Sequence, residues 1–337
     1  MLKTRRLRYY GYNVFLNIKN DTITMQNQWQ NFLAQFPPPS IIPATANNIM
    51  DLSHLGLLKV TGVDAKKFLQ GQLTCNLEEI TSLQTQIGAH CTPQGRVISL
   101  FRLFYHQEGY YLQMPRIMLP FALVALKKYI VFFKAELSDA SDQFICIGYW
   151  GDQLKNYLGI LPENIGEIAT TNNLLILKLK ERYQILGQFS ALTLLWRKLI
   201  NAHKHVAADI WEYLDFTAAI PRIYPATTEK FLPHEINLQH LNALSFNKGC
   251  YTGQEIIARM QYRGKLKNQL YHAIVNTTLT PSPGGDIYDK TGVTGTIVDY
   301  YKKSAAAYEL LIISNKTDCL FLDINKQYPI DLYDKVE

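Results

Sequence analysis

The chain has 337 residues, more than one hydrophobic core usually organises, so two or three packed domains are expected, and its apolar content of 47% can supply their cores. A net charge of +6 permits an acidic partner without requiring one, because ordinary solvated surfaces carry similar balances. The odd set Cys75, Cys91, Cys146, Cys250 and Cys319 contains no metal-ligand spacing, which excludes a complete disulfide scaffold and fits a reducing, cytoplasmic compartment.

The N-terminus carries Lys3, Arg5, Arg6 and Arg8 without an apolar signal core, and reads as a basic first strand. Tyr12 to Ile23 is strand-like, and Gln28 to Phe36 predicts a short helix ended by Pro37, Pro38 and Pro39. Strands are expected at Leu52 to Leu55 and Leu57 to Val60, then a helix over Asp64 to Gln70 with Asp64 as its cap. Thr92 to Gly95 reads as a turn before the strand Arg96 to Phe104, and Gln107 to Gly109 as the next turn. Ile117 to Leu126 is too short to span a membrane and reads as part of a buried helix, so no transmembrane segment is expected. Phe121 to Tyr129 has helical periodicity; Ile130 to Leu137, Phe144 to Tyr149 and Leu174 to Leu177 are strand-like; Ala191 to Ala202 and Ala207 to Thr217 are helical. From about Leu270, β-rich pieces alternate with Pro and Gly turns, which suggests a small antiparallel barrel or sandwich joined at Leu266 to Leu270.

Chemistry concentrates in Asn247 to Glu255, where a cysteine, a lysine, two glycines and a glutamate crowd together. Cys250 is the candidate reactive thiol, with Lys248 placed to favour its thiolate or to bind an acidic ligand; a buried inert cysteine and a surface lysine are the bland readings. Gly249 and Gly253 can let the backbone turn tightly around Cys250. Gln254 can hydrogen-bond a ligand, and Glu255 can orient a base or simply pair with Arg259 at helical spacing. Arg259, Arg263, Lys265 and Lys267, with Tyr262 interleaved, could line an acidic cofactor or a nucleic-acid backbone, or form a basic rim. Gln72 and Thr74 could flank a ligand or close a helix, and Arg222 could place a cation near a pocket or join a surface pair. Cys91 offers a second thiol that the fold could bring to Cys250. His203, His205, His234 and His240 have no spacing that specifies zinc, so no metal site is expected. No Walker loop, dinucleotide-binding glycine motif or nucleophile elbow occurs.

On Gly62 to Ala65, Phe68 to Thr74, Cys91 to Arg96, Ala219 to Ile223, Phe231 to Leu238 and above all Ser245 to Arg259, the chain resembles the YgfZ family, within the wider superfamily of the glycine-cleavage T protein. The resemblance covers nearly everything after the proline-rich segment. It implies an α+β, three-domain aminomethyltransferase T-protein-like fold with a β-rich C-terminal barrel: a strand and helix segment over 1–48, a discontinuous folate-binding core of two modules over 49–265, and a barrel-like domain over 266–337.

The resemblance further implies tetrahydrofolate or a related folate as cofactor, Cys250 and Lys248 as the functional pair, and Gln72, Thr74, Arg222, Gln254, Glu255 and Arg259 as cofactor-binding candidates. It implies a role in iron–sulfur protein maturation or repair that supports tRNA thiolation indirectly, with assembly factors or client enzymes as partners. The T-protein superfamily uses an early aspartate for aminomethyl transfer, but His90 to Leu100 contains no acid, which disfavours ordinary glycine-cleavage chemistry. A folate-dependent one-carbon transferase and a direct tRNA-binding adaptor remain the alternatives.

Overall fold

Turn chemistry and changes of apolar period divide the chain into its elements. The computed structural model describes residues 3–9, 12–18, 24–41, 47–264, 266–315 and 318–336. Strands β1 (Lys3–Tyr9) and β2 (Tyr12–Ile18) form an antiparallel hairpin, and the end of the expected strand, to Ile23, lies outside the described residues. Helix α1 (Met25–Leu33) starts earlier than Gln28 because the Thr24 hydroxyl caps it, accepting from the Asn27 N–H; it buries Trp29 and Phe32.

Two expected strands move. Leu52 to Leu55 is a turn, closed by the Leu55 N–H on the Leu52 carbonyl, and separates β3 (Asn48–Asp51) from β4 (Leu55–Thr61). Helix α2 (Ala65–Gln72) follows, but Asp64 gives it no side-chain cap; the carboxylate accepts from the Lys134 N–H at 2.8 Å instead. Strands β5 (Gln86–Cys91), β6 (Val97–His106) and β7 (Gly109–Pro115) come next, the last two joined by Gln107 and Glu108 at φ 44° and 58°, a turn that matches strand twist. Helix α3 (Leu119–Ile130) then consumes the start of the expected Ile130 strand, and Val131 and Phe132 stand exposed in turns before the short β8 (Glu136–Asp139).

The second half continues with β9 (Ile145–Trp150), α4 (Lys155–Leu158), β10 (Ile168–Thr171), β11 (Leu174–Leu179) and β12 (Arg182–Gly187). Helix α5 (Phe189–Ile200), β13 (Lys204–His205), α6 (Ala208–Thr217) and α7 (Gln254–Arg263) precede the final strands. These are β14 (Gln269–Asn276), β15 (Asp286–Tyr288), β16 (Val293–Ser304), β17 (Ala307–Ser314), β18 (Leu320–Phe321) and β19 (Pro329–Lys335).

The strands assemble into a five-stranded sheet in the order β5-β6-β7-β4-β8, a six-stranded sheet in the order β10-β11-β12-β9-β3-β13, and a closed barrel, β14-β17-β16-β15-β18-β19. Closure leaves the barrel without a free edge. Strand alternation divides its side chains: Leu310 and Ile312 pack with Ile287 and Ile297, while Leu311 and Ile313 join Val298 in the core of the five-stranded sheet. That shared core holds the barrel against the sheet. No helix among the described residues is long and apolar enough to cross a membrane.

Candidate functional site

Three sequence motifs far apart in the chain meet in one loop cluster. Gly253, at φ +84°, seats the loop before α7 against the turn that ends β5; a Cβ there would lie 2.6 Å from the Thr92 carbonyl oxygen. Only glycine combines that dihedral with so close an approach. From the other side, the Thr252 N–H donates to the Gly71 carbonyl at 3.1 Å, and its hydroxyl donates to Gln72 Oε1 at 3.3 Å. Thr74 is fully buried; its hydroxyl donates to the Ala243 carbonyl at 2.6 Å and accepts from the Ala89 N–H at 2.9 Å. Gln254 Oε1 accepts from the Tyr251 N–H at 3.3 Å. Gln72, Thr74 and Gln254 thus all hold the loop cluster together.

Lys248 is half-buried, and its ammonium donates at 2.8 Å to the carbonyls of both Leu73 and Cys75, just beyond the end of α2. A helix C-terminus presents unpaired carbonyls and the negative end of the helix dipole, so a cation is favoured there. Burial lowers this amine to about 8, while the two carbonyl acceptors favour its charged form. Cys250 lies two residues on with an exposed, free thiol. Cys75 and Cys91 are free and buried, and burial pushes Cys75 up to about 12 and Cys91 higher still. Cys91 and Cys250 therefore form no disulfide.

Glu255 and Arg259 are both exposed on α7, and the pairing expected from their spacing does not form among the described residues. An exposed pair of this kind is worth only about 0.3–0.5 kcal/mol, too little to hold two solvated side chains together. Lys265 lies outside the described residues.

A second locus opens between the two sheets, beneath α6: a cavity of about 110 Å³. Of the expected ligand residues, Arg222 lines it; Gln72, Thr74, Gln254, Glu255 and Arg259 do not. Arg222 is tied down. It grips Asp299 with two bonds of 2.8 Å and reaches Glu212 Oε2 at 2.6 Å. Asp299 has no exposure and sits where a bulge shifts the register of β16, which turns it towards Arg222.

Sequence reading missed four titratable cavity residues, Glu212, Asp215, His54 and Arg102. Glu212 leaves Oε1 without a hydrogen bond from any described residue; its nearest charged neighbour is His54 Nε2 at 3.6 Å. Burial raises this carboxyl to about 7 even though Arg222 pulls it down. Burial also lowers His54 to about 3, so its ring is neutral at physiological pH. Arg102, brought in by β6, is lowered to about 10 by burial. One signal was legible: Glu212 falls within the buried face of α6, beside Ile210, Trp211 and Phe216, where an acid is out of place.

No protein-family model matches the chain. Over 278 residues it is 34% identical to the tRNA-modifying protein YgfZ of Yersinia pseudotuberculosis, spanning 79% of this chain and 83% of that one. The chain belongs to the YgfZ family. The protein of that name in Photobacterium profundum is 31% identical across 80% of this chain and 84% of its own, and that of Colwellia psychrerythraea 30% identical across 86% and 92%. The fold of this YgfZ-family chain matches a solved glycine cleavage system aminomethyltransferase T from Bartonella henselae, with TM-score 0.68 over 99% of this chain and 93% of that one. At 12% identity that likeness speaks for the fold alone, an α+β T-protein architecture with a closed C-terminal barrel.

Proposed function

We propose that this chain is a tetrahydrofolate-binding accessory factor for maturation or repair of iron–sulfur enzymes, and that it supports tRNA thiolation through them. In this reading the cavity takes the pterin ring and Cys250 supplies a thiol from the loop cluster. The observation that carries the folate part is Glu212, a buried carboxyl group in the cavity lining whose Oε2 is held by Arg222 and whose Oε1 receives no hydrogen bond from a described residue. A pterin presents two adjacent N–H donors on its amino-pyrimidinone edge, and such an edge matches a fixed carboxylate, the form that Glu212 takes above about pH 7. Trp211 lines the same cavity, with the Arg182 guanidinium 4.1 Å over its ring, and Leu100, Phe101 and Met114 add apolar lining for a flat heterocycle. Because about 110 Å³ is below the roughly 300–1,000 Å³ of sites that engulf drug-sized ligands, the ring would enter and the acidic tail would stay outside.

Bound tetrahydrofolate would supply a reduced ring able to accept a one-carbon unit. The accessory reading is favoured over one-carbon transfer because His90 to Leu100 contains no acid where the resemblance would place the transferring aspartate, and the cavity acid Asp215 is engaged with Arg182. Lys248, fixed on two carbonyls, would position the Cys250 loop. We divide the chain into a segment over 1–48, a core over 49–265 and a barrel over 266–337, and place it in the cytoplasm with iron–sulfur clients or assembly factors as partners.

Two measurements test this. Calorimetric titration with tetrahydrofolate should show binding that weakens at least tenfold in Glu212→Ala; equal affinity in both proteins would remove the cavity assignment. Cells lacking the family member should regain activity of an iron–sulfur tRNA-thiolating enzyme with wild-type protein and not with folded Cys250→Ala. Equal rescue by both would refute a required thiol.

A further inference from the structure

The outer face of α7 carries a feature that neither the cavity nor the Cys250 loop uses. At 3.6 residues per turn, Arg259, Tyr262 and Arg263 fall within about a quarter of the helix circumference, and Lys267 follows four residues after the helix ends. All four side chains are exposed, Tyr262 by 70%. None of the three cations makes a salt bridge or side-chain hydrogen bond among the described residues. The Tyr262 ring is held in place: it meets Phe246 edge-on at 5.8 Å, and Phe246 belongs to the same loop as Cys250. A large aromatic ring that is exposed, braced and flanked by unpaired cations suits a ligand with both flat rings and negative charge.

We infer that this face binds single-stranded RNA directly, with Arg259, Arg263 and Lys267 on phosphates and Tyr262 stacked on one unpaired base. This goes beyond the function proposed above, in which the link to RNA runs through client enzymes. An acidic peptide would satisfy the cations but leave Tyr262 without a stacking partner. Duplex RNA hides its base faces, whereas loops and ends offer them.

The test is fluorescence anisotropy with a labelled twelve-nucleotide oligouridylate and unfractionated tRNA, using the full chain. With about three phosphates neutralised, the log–log salt slope should be about −2, so affinity should fall roughly twentyfold between 50 and 200 mM salt. Joint Arg259→Gln, Arg263→Gln and Lys267→Gln replacement should flatten that slope. Tyr262→Ala should weaken binding about tenfold while Tyr262→Phe restores it, which a merely electrostatic surface would not do. No binding at 50 mM salt, a slope unchanged by the triple replacement, or displacement of the RNA by an equal charge of polyglutamate would overturn the inference. Circular dichroism checks that each variant folds. Tetrahydrofolate titration of wild type and Glu212→Ala reports separately on the cavity, so either proposal can fail alone.

Discussion

Lys248→Met separates a structural from a chemical use of the lysine. The substitution keeps most of the stem that places the ammonium 5.0 Å from the Tyr251 ring centroid, and it removes both donors to the Leu73 and Cys75 carbonyls. Hydrogen bonds to charged groups contribute about 1.5–3 kcal/mol each, and a half-buried site belongs at the low end. Two such bonds, less what the methionine regains in packing, amount to about 2–3 kcal/mol. Urea unfolding should therefore show a lower midpoint at unchanged slope in the transition that includes the five-stranded sheet. Protection of the α2 to β5 segment against hydrogen exchange should fall in step. A loss below about 0.5 kcal/mol, combined with failure to complement, would refute this reasoning and make the ammonium a reacting group.

Other expectations follow from the same geometry. Brief alkylation of native protein should label Cys250 and Cys319, the exposed thiols, and spare the buried Cys75, Cys91 and Cys146; labelling of the buried three at equal rates would contradict the packing. Gly253→Ala should destabilise the loop cluster by about 2 kcal/mol or more, read by urea unfolding, because it combines φ +84° with a contact of 2.6 Å to the Thr92 oxygen. Arg222→Met should cost about 3–5 kcal/mol by leaving the buried Asp299 without its counter-charge, held among the described residues only by the Tyr224 hydroxyl and the Tyr300 N–H, and Asp299→Asn in the same chain should recover part of it.

What the sequence made legible was local and periodic. The helix at Ala207 to Thr217 shows because its apolar residues repeat at helical spacing, and the turn at Gln107 to Gly109 because its neighbours alternate. The strand expected from Ile130 failed because Ile130 still belongs to the helix, and the β-branched Val131 and aromatic Phe132 that suggested a strand lie in the turn that ends it. Asp64 stands at the N-cap position as expected, but its carboxylate serves the Lys134 N–H seventy residues away, a partner beyond any local rule. The loop cluster was legible as composition, through Cys250, Lys248 and Gly253, but its assembly from three segments was not. The cavity was harder still: Glu212, Arg222 and Asp299 come from a helix, a connection and a barrel strand, and no spacing links them.

The protonation of Glu212 follows from how Arg222 is shared. Asp299 is fully buried and holds Arg222 through two bonds, so the guanidinium is already matched before Glu212 draws on it. Burial then outweighs the remaining attraction, and the charge on Asp299 adds to the rise, which brings Glu212 to about 7. The native state thus keeps this proton between about pH 4.5 and 7, while the unfolded chain releases it above 4.5. The resulting stabilisation is fully present below pH 4.5 and is lost as pH rises through 7, at most about 3 kcal/mol for one group. The difference in unfolding free energy between wild type and Glu212→Gln should fall across that window. In Asp299→Asn the fall should end at lower pH, because Arg222 is then left to Glu212 alone. A difference that stays flat from pH 4.5 to 7 would mean that Glu212 is ionised throughout, held by Arg222 as an ordinary buried ion pair.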